Sequence, residues 1–123
     1  MSSTNRSEAR QFHISDYYIT PVNEIENFFS ALDNVVTIDM DKCTLDPASG
    51  GDSKNQMSYP TAITNYYSVP FENIKTIDIR EDSLAETKAD YLHTTLNYKP
   101  HVIITNPPFA CAIDFIKKAL DDV

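Results

Sequence analysis

Apolar residues along the chain alternate between a helical period and short continuous runs. In "TPVNEIENFFSALD", Val22, Ile25, Phe28, Phe29 and Leu32 recur at spacings that fall on one face of a helix. Thr20 and Pro21 stand before them as N-cap and first helical residue, because a threonine hydroxyl can satisfy an orphan amide and proline has none to orphan. "NVVTIDMDKCTLDPASGGDS" mixes β-branched residues with acids and ends in Asp-Pro and the chain's only two glycines, Gly50 and Gly51. A glycine pair there implies a backbone demand, either positive φ or close approach of a ligand.

Helical spacing returns between Lys54 and Phe71, interrupted by Pro60 and Pro70, and predicts a short helix followed by loop. "NIKTIDI", Asn73 to Ile79, reads as a strand, and in the acid-rich segment after it Ser83 and Glu86 have capping-box spacing, which predicts a helix start. "HVIITN" is the clearest strand, a run of apolar and β-branched residues bounded by Pro100 and Pro107. Such a run is expected to be buried on both faces, as in a parallel sheet covered by helices. From Phe109 to Val123, Ala112, Ile113, Phe115, Ile116, Ala119 and Leu120 form a broad apolar face with Lys117 and Lys118 toward water. The alternation predicts an α/β fold: a mostly parallel sheet of about four strands flanked by helices. Residues 1–13 are polar and aperiodic and are expected to be a flexible arm, with one domain over 14–123.

Composition narrows the classes. A chain of 123 residues holds at most one compact domain. It contains no apolar run of about 18 residues and no apolar segment near "MSSTNRSEARQFH", so no membrane association is expected and a cytoplasmic location is. Cys43, Cys111 and the three histidines have no metal-ligand spacing, so both cysteines are expected to be reduced and buried, with no metal site. Eighteen acids against ten bases give a net charge of −8, which opposes unaided DNA binding because a basic patch is what displaces condensed counterions.

In an open α/β sheet, ligands sit beyond the carboxyl ends of the strands. Asp46 with Gly50 and Gly51, Asp78, and Asn106 occupy such ends, with Asp90 between the last two. In that order after "YYITP", the segments "LDPASGG", "TIDIRED", "ADYL" and "TNPPF" resemble the ordered motifs of S-adenosylmethionine-dependent DNA methyltransferases, specifically the adenine-N6 enzymes often carried by bacteriophages. The resemblance implies a Rossmann-like methyltransferase sheet and a set of roles. Thr20 and Pro21 would approach the methionine end of S-adenosylmethionine. Asp46, Pro47, Gly50 and Gly51 would form the loop that cradles the cofactor, Asp78 would accept hydrogen bonds from its ribose, and Asp90 and Tyr91 would hold its adenine.

Asn106, Pro107, Pro108 and Phe109 would be the catalytic tetrapeptide. The exocyclic nitrogen of adenine is a poor nucleophile because its lone pair is delocalised into the ring. Acceptors on the Asn106 side chain and the Pro107 carbonyl could hold its two hydrogens, so alignment is the protein's main task. Phe109 would stack on the flipped base. Consecutive prolines stiffen this turn and keep Asn106 out of helical geometry.

Relative to the resembled family, the chain is expected to lack the far half of the sheet and the element that recognises DNA. "HVIITN" would then be an exposed apolar edge, to be covered by a partner or by a second copy through residues 101–106. Two functions follow. One is an adenine-N6 methyltransferase, or its cofactor-binding part, acting on DNA once completed. The other is an inactive methyltransferase-like acidic phage protein that binds a basic surface, such as that of a host defence nuclease, and inhibits it in the host cytoplasm. The first is favoured because Asp46, Asp78 and NPPF are all intact.

Overall fold

The computed structural model describes residues 18–123; the arm expected at 1–13 lies outside the described residues. Among the described residues, three α-helices and four strands follow in the order α1 (Val22–Asp33), β1 (Thr44–Asp46), α2 (Ser58–Tyr67), β2 (Ile74–Asp78), β3 (Thr87–Lys88), β4 (Val102–Ile103) and α3 (Ala112–Asp122). The strands form one sheet in the order β3-β2-β1-β4, and every pairing is parallel. The register sets Thr44 against both Ile74 and Val102, so the carboxyl ends of β1, β2 and β4 point the same way. The α/β class and strand number match the sequence pattern.

The core divides between the two faces. On one, Ile25 and Phe29 of α1 pack with Ala62 and Ile63 of α2, Met40, Val69 and Ile74. Phe29 sits 5.1 Å from the Tyr67 ring, and the Tyr67 hydroxyl donates to Asp33 Oδ1 at 2.9 Å, tying the two helices together. On the other face, Leu45, Ile77, Tyr91 and Phe115 form a second cluster under α3. There the Tyr91 hydroxyl and Lys118 Nζ both donate to Asp122 Oδ2 at 2.7 Å. The ammonium of Lys118 also lies 4.5 Å from the centre of the Tyr91 ring.

Five local expectations change. Pro21, not Thr20, is the N-cap of α1: its extended backbone (ψ 132°) leaves its carbonyl to accept from the amides of Glu24 and Ile25. Pro60 does not interrupt α2, because it occupies the first turn, where no amide is needed. No helix begins at Ser83. The Glu86 amide that a capping box would bond to Ser83 donates to the Thr76 hydroxyl, the Leu84 amide is drawn to the Gly50 carbonyl, and the chain runs into β3 instead. "HVIITN" is not buried on both faces: β4 is a half-buried edge strand. Cys43 and Cys111 are half-buried rather than buried.

Candidate functional site

A cleft opens across the carboxyl ends of β1, β2 and β4. The loop after β1 forms its floor. Asp46 ends the strand and its Oδ1 accepts from the Ala48 amide at 3.1 Å. Gly50 and Gly51 follow with φ of 67° and 78°, so the glycine pair answers a demand for positive φ. A Cβ on Gly51 would also stand 2.8 Å from Met57 Cγ, so this loop closes against the protein's own side chains.

Asp78, at the end of β2, holds that loop in place. Its Oδ2 accepts from the Gly50 amide and its Oδ1 from the Arg80 amide, both at 2.8 Å. Each oxygen keeps a further acceptor direction for a hydroxyl in the cleft. Asp90 caps the short 3₁₀ turn Tyr91–His93 through the Leu92 amide, and its Oδ2 lies 3.7 Å from His93 Nε2. The Tyr91 ring is buried against Phe115, and burial together with its hydrogen bond to Asp122 pushes its hydroxyl well above the usual phenol range.

The turn after β4 supplies the opposite wall. Pro108 is extended and is followed by the 3₁₀ turn Phe109–Cys111, which leads into α3. Asn106 Nδ2 donates to the Thr20 hydroxyl at 3.2 Å, which leaves the carboxamide oxygen to accept from a ligand. Phe109 is 69% exposed and Tyr18 59%, so two aromatic rings are available at the cleft.

The structure thus brings together Thr20, Pro47, Gly50, Gly51, Asp78, Asp90, Tyr91 and the whole of Asn106–Phe109. Two residues expected at the site stand apart from it. Pro21 lines a neighbouring hollow, and Asp46 is fully buried beneath the loop. Burial pushes the Asp46 carboxyl up to about 7; the neighbouring Thr105 hydroxyl and the Ala48 amide offset part of that rise, and the charge of Asp78 adds to it. Asp46 Oδ2 and Thr105 Oγ1 are both buried and lack a hydrogen-bond partner of good geometry. Sequence reasoning missed Tyr18, Tyr59 and Arg80, which also line the cleft. Arg80 was detectable as the cation two positions after Asp78; Tyr59 had no such signal, because α2 alone carries it there.

No helix among the described residues is long and apolar enough to cross a membrane. Comparison with protein-family models, curated proteins and solved structures finds no match to this chain.

Proposed function

We propose that the chain is a DNA adenine-N6 methyltransferase-like protein that binds S-adenosylmethionine in this cleft and works on DNA when completed by further elements. The observation that carries the reading is the convergence of the Asp78-anchored glycine loop, Asp90 and the Asn106–Phe109 turn on one cleft. The residues fit the cofactor. Asp78 can take two ribose hydroxyls, Asp90 can accept from an adenine amine, and the loop that Asp78 holds through the Gly50 amide lines the cleft beside them. Bound there, the cofactor would supply an electrophilic methyl group. The chain's own task is alignment. The Asn106 carboxamide oxygen and the Pro107 carbonyl accept the two hydrogens of the target amine, and Phe109 stacks on the base.

Calorimetric titration with S-adenosylmethionine tests the reading: heat of binding is expected, and no heat together with no thermal shift at millimolar cofactor would overturn it. Asn106→Ala should keep cofactor binding and lose transfer to adenine in DNA, whereas Asp78→Ala should lose binding itself. The charge of −8 favours a second reading, an inactive protein that binds a basic surface. Salt-sensitive capture of a basic partner without cofactor binding would select it.

A further inference from the structure

Thr20 stands just before α1 and Asn106 just after β4, 86 positions apart, and a side-chain hydrogen bond joins them at the cleft that both line. Asn106 Nδ2 donates to Thr20 Oγ1 at 3.2 Å. The threonine hydroxyl is available for this because Pro21 is the N-cap of α1 and no side chain bonds the first amides of the helix. Both partners are half-buried and both precede a proline, Pro21 and Pro107, which keeps each backbone out of helical geometry. Threonine is also β-branched, so its hydroxyl has few rotamers to sample. The contact joins two stiffened segments.

A carboxamide offers a ligand either an acceptor or a donor, according to which way it is turned. With Nδ2 on Thr20, the oxygen is the end left for a ligand. Turned over, the NH2 group would meet the N–H groups of an adenine amine donor against donor. The threonine hydroxyl can serve either orientation, so the target amine is what demands the oxygen, and Thr20 is what gives Nδ2 a partner while the oxygen is so engaged. Without that hydroxyl, the productive orientation leaves Nδ2 without this partner.

We propose that Thr20 is a positioning residue, whose hydroxyl accepts from Asn106 Nδ2 and so holds the carboxamide oxygen toward the target amine. The inference rests on the methyltransferase reading for the identity of that amine; the contact between the two side chains does not. It assigns Thr20 to the target end of the cleft, whereas the resemblance puts it at the methionine end of the cofactor. Substitution separates the two roles.

Thr20→Val keeps the shape of the side chain and removes the hydroxyl. In the chain without cofactor, the Asn106 Nδ2 protons, identified in nitrogen-15 spectra by their loss in Asn106→Ala, should exchange with water about three- to tenfold faster in Thr20→Val, with thermal unfolding unchanged. Thr20→Ser should restore the parent rate. With S-adenosylhomocysteine, the demethylated cofactor, saturating its own site, adenosine should bind more tightly than purine riboside, which lacks the amine, and Thr20→Val should reduce that preference about three- to tenfold. Its Kd for S-adenosylmethionine should stay within about twofold of the parent's. The proposal is overturned by unchanged exchange in Thr20→Val, by failure of serine to restore it, or by the absence of any preference for adenosine in the parent. Loss of cofactor affinity with the preference intact would return Thr20 to the cofactor and overturn it equally. A parent chain that binds neither form of the cofactor would overturn the methyltransferase reading, and with it the target amine, while the exchange rates would still decide whether Thr20 orients Asn106.

Discussion

At one edge of the sheet, β3 presents Thr87 and Lys88, both exposed; at the other, β4 presents Val102 and Ile103, both apolar and half-buried. A strand edge is a template for further pairing, and proteins blunt it with shortness and charge. Lys88 does this at β3, with its ammonium donating to the Glu81 carbonyl at 2.8 Å across the edge. Among the described residues nothing comparable guards β4, which is instead flanked by exposed and half-buried apolar residues of α1 and α3. The same sheet is therefore finished on one side and open on the other, and the Asn106–Phe109 turn leaves from the open side.

Stability should divide along the same line. Phe29 is fully buried between α1 and α2, so Phe29→Ala is expected to lower the unfolding free energy by about 3–5 kcal/mol, read from urea denaturation. Next comes the finished end of β1 and β2. Gly51→Ala forces a side chain into positive φ and against Met57 and Leu84, and should cost about 1–3 kcal/mol. A loss under about 0.5 kcal/mol would mean that the loop is slack and that Asp78 does not anchor it.

The open and the finished sides were not equally legible in the sequence. The helical spacing of Val22 to Leu32 and the run of "NIKTIDI" depend on local periodicity, and both elements formed. The glycine pair needed only its own backbone geometry to be read. The failed helix at Ser83 is different in kind: the Glu86 amide of its capping box went to Thr76 and the Leu84 amide to Gly50, partners that no local pattern can reveal. The Thr20 to Asn106 hydrogen bond spans 86 positions and was likewise invisible, although each residue had been singled out separately. For β4, an apolar run looked like a doubly covered strand because period and composition do not record which neighbours are present.

Between the two sides lies Asp46, whose raised pKa gives a pH-dependent prediction. The folded chain holds a proton on this carboxyl up to about pH 7, while the unfolded chain releases it near the ordinary value of 3.8. Between those values the folded state binds more protons, so this group's contribution to stability is full below the lower value and is lost as pH rises through the upper one. The slope from this group should approach at most about 1.4 kcal/mol per pH unit, and Asp46→Asn should flatten it. Unchanged pH dependence in that variant would place the titration elsewhere.

The smallest effects probe the two edges directly. Leu120→Gln on the open side and Lys88→Gln on the finished side both alter exposed residues, so each should change the unfolding free energy of the chain in dilute solution by less than about 0.5 kcal/mol. Their consequences for association should be opposite. Losing Leu120 removes apolar surface from the unguarded face, so any self-association at high concentration should weaken. Losing Lys88 removes a charge from an edge that otherwise discourages pairing, so association should stay unchanged or increase. If both variants weakened association equally, the two edges would share one interface and the distinction between a guarded strand and an open one would fail.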